Sequence, residues 1–117
     1  MKKTLYFFDK NTENVCAIAG YSQIEDVEGY ISNWLIKHKD SQKVIITDIA
    51  FGSINQIAFK LLTKFDFYLI TGMNLSLVLE ISLAKEIDDD FVRQAVLLSR
   101  DQIVFMNDLY HNMENDL

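Results

Sequence analysis

Residues 44–56 read VIITDIAFGSINQ, so that an apolar run ends in an aspartate and a turn of small residues. The run has strand character, and the residues after Ser53 repeat their apolar side chains at helical spacing. At such a turn, free backbone N–H groups and the positive end of the helix dipole can hold an anion. Gly52 permits close approach of the backbone, and Ser53 adds a hydroxyl donor. The segment therefore indicates a phosphate-binding turn beside Asp48, although a polar strand end followed by an ordinary helix cap has the same pattern.

A second turn, Gly72 to Asn74, follows an apolar run at 67–71 and leads into another helical stretch. In parallel α/β sheets ligands bind at the carboxyl ends of the strands, so both turns are expected at one end of the sheet. We interpret Asn74 as a residue that shapes its turn, since asparagine tolerates a positive φ. Contact between Asn74 and phosphate is the alternative.

Strand-like and helical segments alternate along the chain. Val15 to Tyr21 reads as a strand, and Ser22 with Glu25 forms an S-x-x-E capping box before the next helix. The remaining segments are predicted as a strand at 44–47, a helix at 54–65, a strand at 67–71, a helix at 75–86, a helix capped by Asp88, Asp89 or Asp90 and ending at Arg100, and a short strand at 103–106. This order predicts an α/β fold with three layers, α/β/α, and a mostly parallel central sheet.

Composition limits the possible classes of function. The 117 residues suit one domain, residues 1–117, and half of them are hydrophobic. The net charge of -6 and the absence of a basic stripe argue against binding to nucleic acid or directly to lipid. The single cysteine, Cys16, excludes an internal disulfide and fits the cytoplasm, where it reads as a small buried residue. No residue spacing indicates a metal site, and no cofactor is expected.

Two motifs together resemble the mannose-type enzyme IIA of the bacterial phosphoenolpyruvate-dependent sugar phosphotransferase system. The first is TDIAFGSINQ at 47–56, and the second is GMNLSLVLE at 72–80. RDQIVFMNDL near the end is similar to the last strand of the family. The resemblance covers residues 13–109 and implies a cytoplasmic phosphocarrier that forms a homodimer, with an antiparallel last strand exchanged between the two copies.

The chain departs from the family pattern in three places. Phe51 replaces one glycine of the first motif, and Ser76 replaces the proline of the second. The family begins with a central strand ending in His-Gly, whose histidine accepts the phosphoryl group, and no such pair precedes Val15. MKKTLYFFDKNTEN is similar instead to the end of the family's first helix and the loop after it, so the chain is expected to lack the family's first strand and half of its first helix. Three outcomes then follow: Thr4 to Asp9 acts as a substitute strand, the remaining strands close around the gap, or a partner chain completes the sheet.

The resemblance implies that Asp48 orients the acceptor histidine, while Gly52 and Ser53 donate to phosphate oxygens. Asn74 is the fourth candidate for this site. A phosphocarrier histidine needs one free ring nitrogen and a carboxylate that holds the other. His38 is expected at the end of a helix, across the sheet from Asp48, and His111 in a polar tail. Neither is expected to be the acceptor.

Two hypotheses for function follow. In the first, the chain is a sugar-specific enzyme IIA that relays a phosphoryl group from the histidine phosphocarrier protein to enzyme IIB, although it is inactive in the form given. A related option is the phosphocarrier of a dihydroxyacetone kinase. In the second, it is a non-catalytic dimeric module that binds the same partners. Any contact with the membrane would run through the transporter complex, and the sequence does not identify the sugar.

Overall fold

The computed structural model describes the backbone of residues 4–11, 14–19, 26–48 and 53–115, and the side chains of residues 5–11, 26–48 and 53–114. Within these residues the fold is mixed α/β, with four strands and five helices. In chain order they are β1 (Thr4–Asp9), β2 (Asn14–Ala19), α1 (Val27–Lys37), β3 (Lys43–Thr47), α2 (Ser53–Leu61), β4 (Tyr68–Thr71), α3 (Leu75–Leu83), α4 (Asp89–Arg100) and α5 (Met106–Asn115).

The four strands form one sheet in the order β2-β1-β3-β4. β1 pairs antiparallel with both β2 and β3, placing Leu5 opposite Thr47 and Asp9 opposite Lys43. β3 and β4 are parallel. The sheet therefore has two chemically distinct ends. We call them the Asp48 end, which comprises residues 47–48 and 71–74, and the Asp9 end, which comprises residues 9–11 and 38–43.

The prediction of a mostly parallel sheet is wrong, because β1 runs antiparallel to both of its neighbours. A short connection joins β1 to β2, and strands joined by so short a link must be antiparallel. The interpretation of residues 1–14 as a helix end and a loop is also wrong, since Thr4–Asp9 is a strand inside the sheet. Its apolar sequence, with Leu5, Phe7 and Phe8 all buried, is typical of a strand covered on both faces.

Helices α1 and α2 cover one face of the sheet. Asp26 starts α1 by accepting a hydrogen bond from the Gly29 N–H at 2.9 Å. Helical spacing then turns Val27, Ile31 and Leu35 towards the sheet. The core on this face combines residues of both helices with alternate residues of the strands, namely Leu5, Phe7, Val27, Ile31, Leu35, Ile45, Ile54, Ala58, Leu61 and Phe67.

Helices α3 and α4 cover the other face. Asp88 starts α4 by accepting from the Phe91 N–H at 2.7 Å, which confirms the predicted cap. The strand residues of this second core alternate with those of the first, as the pleat requires. The buried members are Phe8, Val44, Ile46, Ile70, Leu77, Ile81, Ile87 and Ala95.

Two helix boundaries differ from their predictions. Asp26 caps α1, whereas the predicted capping box of Ser22 and Glu25 lies outside the described residues. α3 ends at Leu83 and not at Glu86, because Ala84 adopts an extended conformation with φ -68° and ψ 134°. The backbone leaves the helix there and runs to Ile87, which is buried in the second core.

The prediction of a last strand at 103–106 is wrong. Residues 103–105 belong to none of the described ladders, and Met106 begins α5. A short apolar run does not by itself distinguish a strand from the start of a helix. Here the apolar spacing continues as Met106, Leu109, Tyr110 and Met113, which is helical. The described side chains of α5 are all exposed, although several are large and apolar.

Candidate functional site

The ends of the strands that precede the two predicted turns lie side by side at the Asp48 end. The Gly72 N–H donates to the Thr47 carbonyl oxygen at 3.1 Å, so the chain after β4 touches the end of β3. The Thr47 hydroxyl donates to Oδ1 of Asn55 at 3.1 Å and ties the strand to α2. These contacts confirm the expectation that both turns lie at one end of the sheet.

Asn74 has a structural task that differs in detail from the predicted one. Its backbone is extended, with φ -142°, and the positive φ of this turn, 90°, belongs to Gly72. Oδ1 of Asn74 accepts from the Leu77 N–H at 2.8 Å and caps α3. Nδ2 donates to the Ser99 carbonyl oxygen at 2.7 Å and so links α3 to the end of α4. Both halves of the amide are therefore engaged within the protein.

Asp48 and Ser53 lie where the sequence indicates, but no described histidine joins them. Asp48 is half-buried immediately after β3, and Ser53 is the exposed first residue of α2. Gly52 lies outside the described residues. His38 ends α1 at the opposite end of the sheet, as expected, and His111 lies on α5. Among the residues described, the Asp48 end therefore brings Asp48, Ser53 and Asn74 to one side of the sheet without an imidazole.

A carboxylate–imidazole pair lies at the Asp9 end. Asp9 is the last residue of β1 and is only 2% exposed. Oδ2 of Asp9 contacts Nδ1 of His38 in a short hydrogen bond. Oδ1 of Asp9 accepts from the Asn11 N–H at 3.0 Å, and the Ser41 side chain contributes a further hydrogen bond to this carboxyl group. The buried carboxylate is therefore well supplied with donors.

These contacts favour the ionised form of Asp9. Burial alone would raise the pKa of the carboxyl group, but the hydrogen bonds from His38, Ser41 and the Asn11 backbone, together with the charge of His38, lower it below 3.8. An ionised carboxylate only accepts hydrogen bonds, so Nδ1 of His38 must carry the proton. In the neutral ring the lone pair then lies on Nε2.

The His38 ring is held on a second side by aromatic packing. Its centroid lies 4.7 Å from that of Trp34, which in turn lies 4.9 Å from that of Phe7. The side chain keeps 19% of its surface exposed. Oγ of Ser99 is the one buried side-chain nitrogen or oxygen atom without a hydrogen-bond partner among the described residues, so Nε2 of His38, which makes no hydrogen bond there, reaches solvent.

Other polar residues at the Asp9 end bind backbone groups. Nζ of Lys10 donates to the carbonyl oxygens of Ile81 and Ser82, at 2.7 Å and 3.1 Å, and so caps the end of α3. Gln42 exchanges two hydrogen bonds with the backbone of Ile87, at 2.6 Å and 3.2 Å. A pocket of about 720 Å³ lies beside Lys10 and Gln42, and His38 is not among its lining residues. These polar groups chiefly hold the connection between α3 and α4.

No protein-family model, curated protein or solved structure matches this chain. Across the described ranges, no group of three or more His, Cys, Asp and Glu side chains is placed to hold a metal ion. None of the described helices is long and apolar enough to cross a bilayer. Functional interpretation therefore depends on the geometry of the two ends of the sheet and on the motif resemblance.

The sequence analysis missed the pairing of Asp9 with His38. It places His38 correctly at a helix end, but it interprets residues 1–14 as a helix end and a loop, with a strand at 4–9 as one alternative. The available signal was the segment TLYFFD, in which an apolar strand pattern ends in an acid. Once that strand lies antiparallel beside β3, its final residue lies opposite Lys43 and near the end of α1.

Proposed function

We propose that this chain is a cytoplasmic interaction module derived from mannose-type enzyme IIA, which binds partners of the sugar phosphotransferase system without carrying phosphate at the Asp48 end. Its partners on this proposal are the histidine phosphocarrier protein and enzyme IIB. The observation that carries it is the position of β1, which pairs with β2 on one side and with β3 on the other.

The position of β1 matters because the strand that carries the acceptor histidine in the family is central in its sheet. In this chain the place between β2 and β3 is filled, and the backbone of β1 is paired along both sides. A further strand would have to join at the outer edge of β2 or β4, away from the turn after β3. The turn at Asp48 would then be retained as a binding surface.

Phosphoryl relay from the histidine phosphocarrier protein to enzyme IIB is the second candidate function. The contact between Gly72 and Thr47, which brings both motif turns together, favours it. On this alternative an imidazole from outside the described residues would be placed beside Asp48, and Ser53 would donate to the phosphate.

Exposed apolar surface near the C-terminus supports an interaction role. Seven large residues between 103 and 113 are 46% to 77% exposed: Ile103, Val104, Phe105, Met106, Leu109, Tyr110 and Met113. Contiguous apolar patches beyond several hundred Å² are unusual on a monomer and mark interfaces. We include a homodimer in the proposal, with this segment, in place of the family's last strand, exchanged between the copies of the three-layer fold.

NMR titration tests the proposed function. Isotope-labelled protein is mixed with unphosphorylated histidine phosphocarrier protein and, separately, with enzyme IIB. We expect amide shifts at Thr47, Asp48 and Gly72 for at least one partner, weakened by Asp48→Asn and unchanged by Asp66→Asn in the exposed loop before β4. Absence of binding to both partners would contradict the proposal.

The same proteins distinguish phosphoryl relay from the interaction module. With phosphoenolpyruvate and enzyme I added, relay predicts that phosphate appears on enzyme IIB only when this chain is present, and that Asp48→Asn prevents it. The interaction module predicts binding without such transfer.

A further inference from the structure

We propose that Nε2 of His38 is a phosphoryl acceptor, a second site at the opposite end of the sheet from Asp48, which takes phosphate from N-phosphorylated donors. The Asp9 carboxylate against Nδ1 and the exposed Nε2 side of the ring form this site. This site is additional to the proposed function. Because its test uses a small phosphoryl donor, the outcome does not depend on any protein partner.

The Asp9 carboxylate orients the His38 imidazole so that Nε2 can act as a nucleophile. Asp9 accepts the Nδ1 proton and is itself fixed by the Asn11 N–H and by Ser41. Its rigid position at the end of β1 holds the ring in one tautomer, which leaves the Nε2 lone pair available. A carboxylate in this place also stabilises the positive charge that develops on an imidazole as it forms a new bond.

Access and charge around the ring suit an incoming phosphoryl group. Trp34 lies against the ring on one side, and Nε2 reaches solvent. Lys37 and Lys39 flank His38 in the chain and are both exposed. Their ammonium groups offset the negative end of the α1 dipole and attract a phosphate.

The transfer balances without another reactant. The Nε2 lone pair of His38 attacks phosphorus, the Nε2–P bond forms, and the P–N bond of the donor breaks. The leaving nitrogen keeps the electron pair of that bond. When phosphoramidate, protonated on nitrogen, is the donor, ammonia leaves. The Nδ1 proton stays on the ring throughout, so the product is a phosphorylated imidazolium facing the Asp9 carboxylate.

The chain contains its own control in His111. That ring is more open, with 67% of its side chain exposed, and its Nδ1 lies 3.9 Å from Glu114, beyond hydrogen-bond distance. If exposure alone set reactivity, His111 would react faster than His38. If Asp9 instead holds His38 in one reactive tautomer, His38 is expected to react faster than His111.

The experiment treats the intact protein with phosphoramidate and follows each histidine by mass spectrometry of peptides at neutral pH. We expect His38 to gain one phosphoryl group at least about tenfold faster than His111. His38→Gln should remove the fast phase, and His111→Gln should leave it unchanged. A phosphoryl group on Nε2 is identified directly by ³¹P and ¹⁵N NMR.

The variant Asp9→Asn distinguishes a role of Asp9 in positioning the His38 ring from a role in folding. In the folded variant we expect phosphorylation of His38 to slow on the order of 10- to 100-fold. The ¹⁵N shifts of the ring should show loss of the single Nδ1–H tautomer, which a merely structural role would leave in place. Asp66→Asn serves as the matched carboxylate control.

Equal rates at the two histidines, or faster reaction at His111, would overturn the proposal. So would phosphorylation on Nδ1 of His38. Should Asp9→Asn fail to fold, the comparison of two histidines within one native chain still decides the question, since it needs no variant at Asp9.

Discussion

The two ends of the sheet present different polar groups. The Asp48 end has the turn and the helix start that suit an anion, but the described part of it holds no imidazole. The Asp9 end has an imidazole oriented by a carboxylate, placed where an α-helix ends and not where one begins. The residues that the sequence predicts for phosphate binding and the carboxylate–imidazole pair therefore lie at opposite ends of the sheet.

The two ends also differ in how strongly they are tied to the core. At the Asp9 end, Asp9, Lys10 and Lys43 are all buried and hydrogen-bonded to residues from other elements or loops. At the Asp48 end, Asp48 is half-buried and Ser53 is exposed. Buried, partnered charges are costly to disturb, whereas exposed polar groups contribute little to stability. Substitutions at the Asp9 end should therefore have the larger structural effect.

The largest difference is expected between Asp9→Ala and Asp48→Ala. Removing one member of a buried pair leaves the other without its partner, so we expect Asp9→Ala to lower the free energy of unfolding by about 3–5 kcal/mol. Asp48→Ala should cost about 1 kcal/mol or less. Urea unfolding measured on both variants at neutral pH makes the comparison.

Asp66→Ala, in an exposed loop at the Asp9 end, is the control for loss of a carboxylate as such. Equal costs for Asp9→Ala and Asp48→Ala would show that the Asp9–His38 contact does not contribute to stability, and would remove the contrast between the two ends.

A second contrast concerns the two amide side chains that connect elements. Gln42 satisfies both backbone groups of Ile87, whereas Asn55 accepts from the Thr47 hydroxyl. Losing two backbone partners should cost about 2 kcal/mol for Gln42→Ala, against about 1 kcal/mol for Asn55→Ala. Hydrogen exchange at the Ile87 amide should accelerate in Gln42→Ala alone. Acceleration in both variants would mean that the effect on the Ile87 amide is not specific to the hydrogen bonds of Gln42.

The sequence predicts most elements of this fold because the responsible interactions are local. Helical spacing locates α2, and the acids at 88–90 locate the start of α4. The apolar run before Asp48 likewise locates β3. The same local signals are insufficient for β1, because its place between β2 and β3 depends on pairing with a strand more than thirty residues away. Because the Asp9–His38 contact depends on this non-local pairing, local patterns in the sequence do not predict it.

The C-terminal region shows the opposite limitation. Residues 103–106 are apolar and short, and nothing within the run distinguishes a strand from a helix start. The family resemblance favours a strand, whereas the spacing of Leu109 and Met113 after Met106 favours the observed helix. The short apolar run and the resemblance both predict a strand, and the prediction is wrong because the helical spacing continues beyond that run.

A smaller effect is expected from the cap at the Asp48 end. Asn74→Ala removes the hydrogen bond to the Leu77 N–H and the link to Ser99, and should lower stability by about 1–2 kcal/mol. Ser53→Ala, at the exposed start of the neighbouring helix, should stay within about 0.5 kcal/mol. Thermal unfolding of both variants tests this. A larger cost for Ser53→Ala would indicate that its hydroxyl has a structural partner in the folded chain.

The smallest expected effect is a change in acid sensitivity. The folded-state pKa of Asp9 is lowered, so its stabilising contribution is fully present above the unfolded pKa of about 3.8 and is lost as the pH falls through the lower folded value. Stability curves between about pH 5 and pH 2 should therefore fall less steeply for Asp9→Asn than for the parent chain. Parallel curves would mean that the carboxyl group titrates alike in the folded and unfolded states. The hydrogen bonds from His38, Ser41 and the Asn11 backbone would then only compensate for burial, and the contrast between the two ends would be one of packing and not of charge.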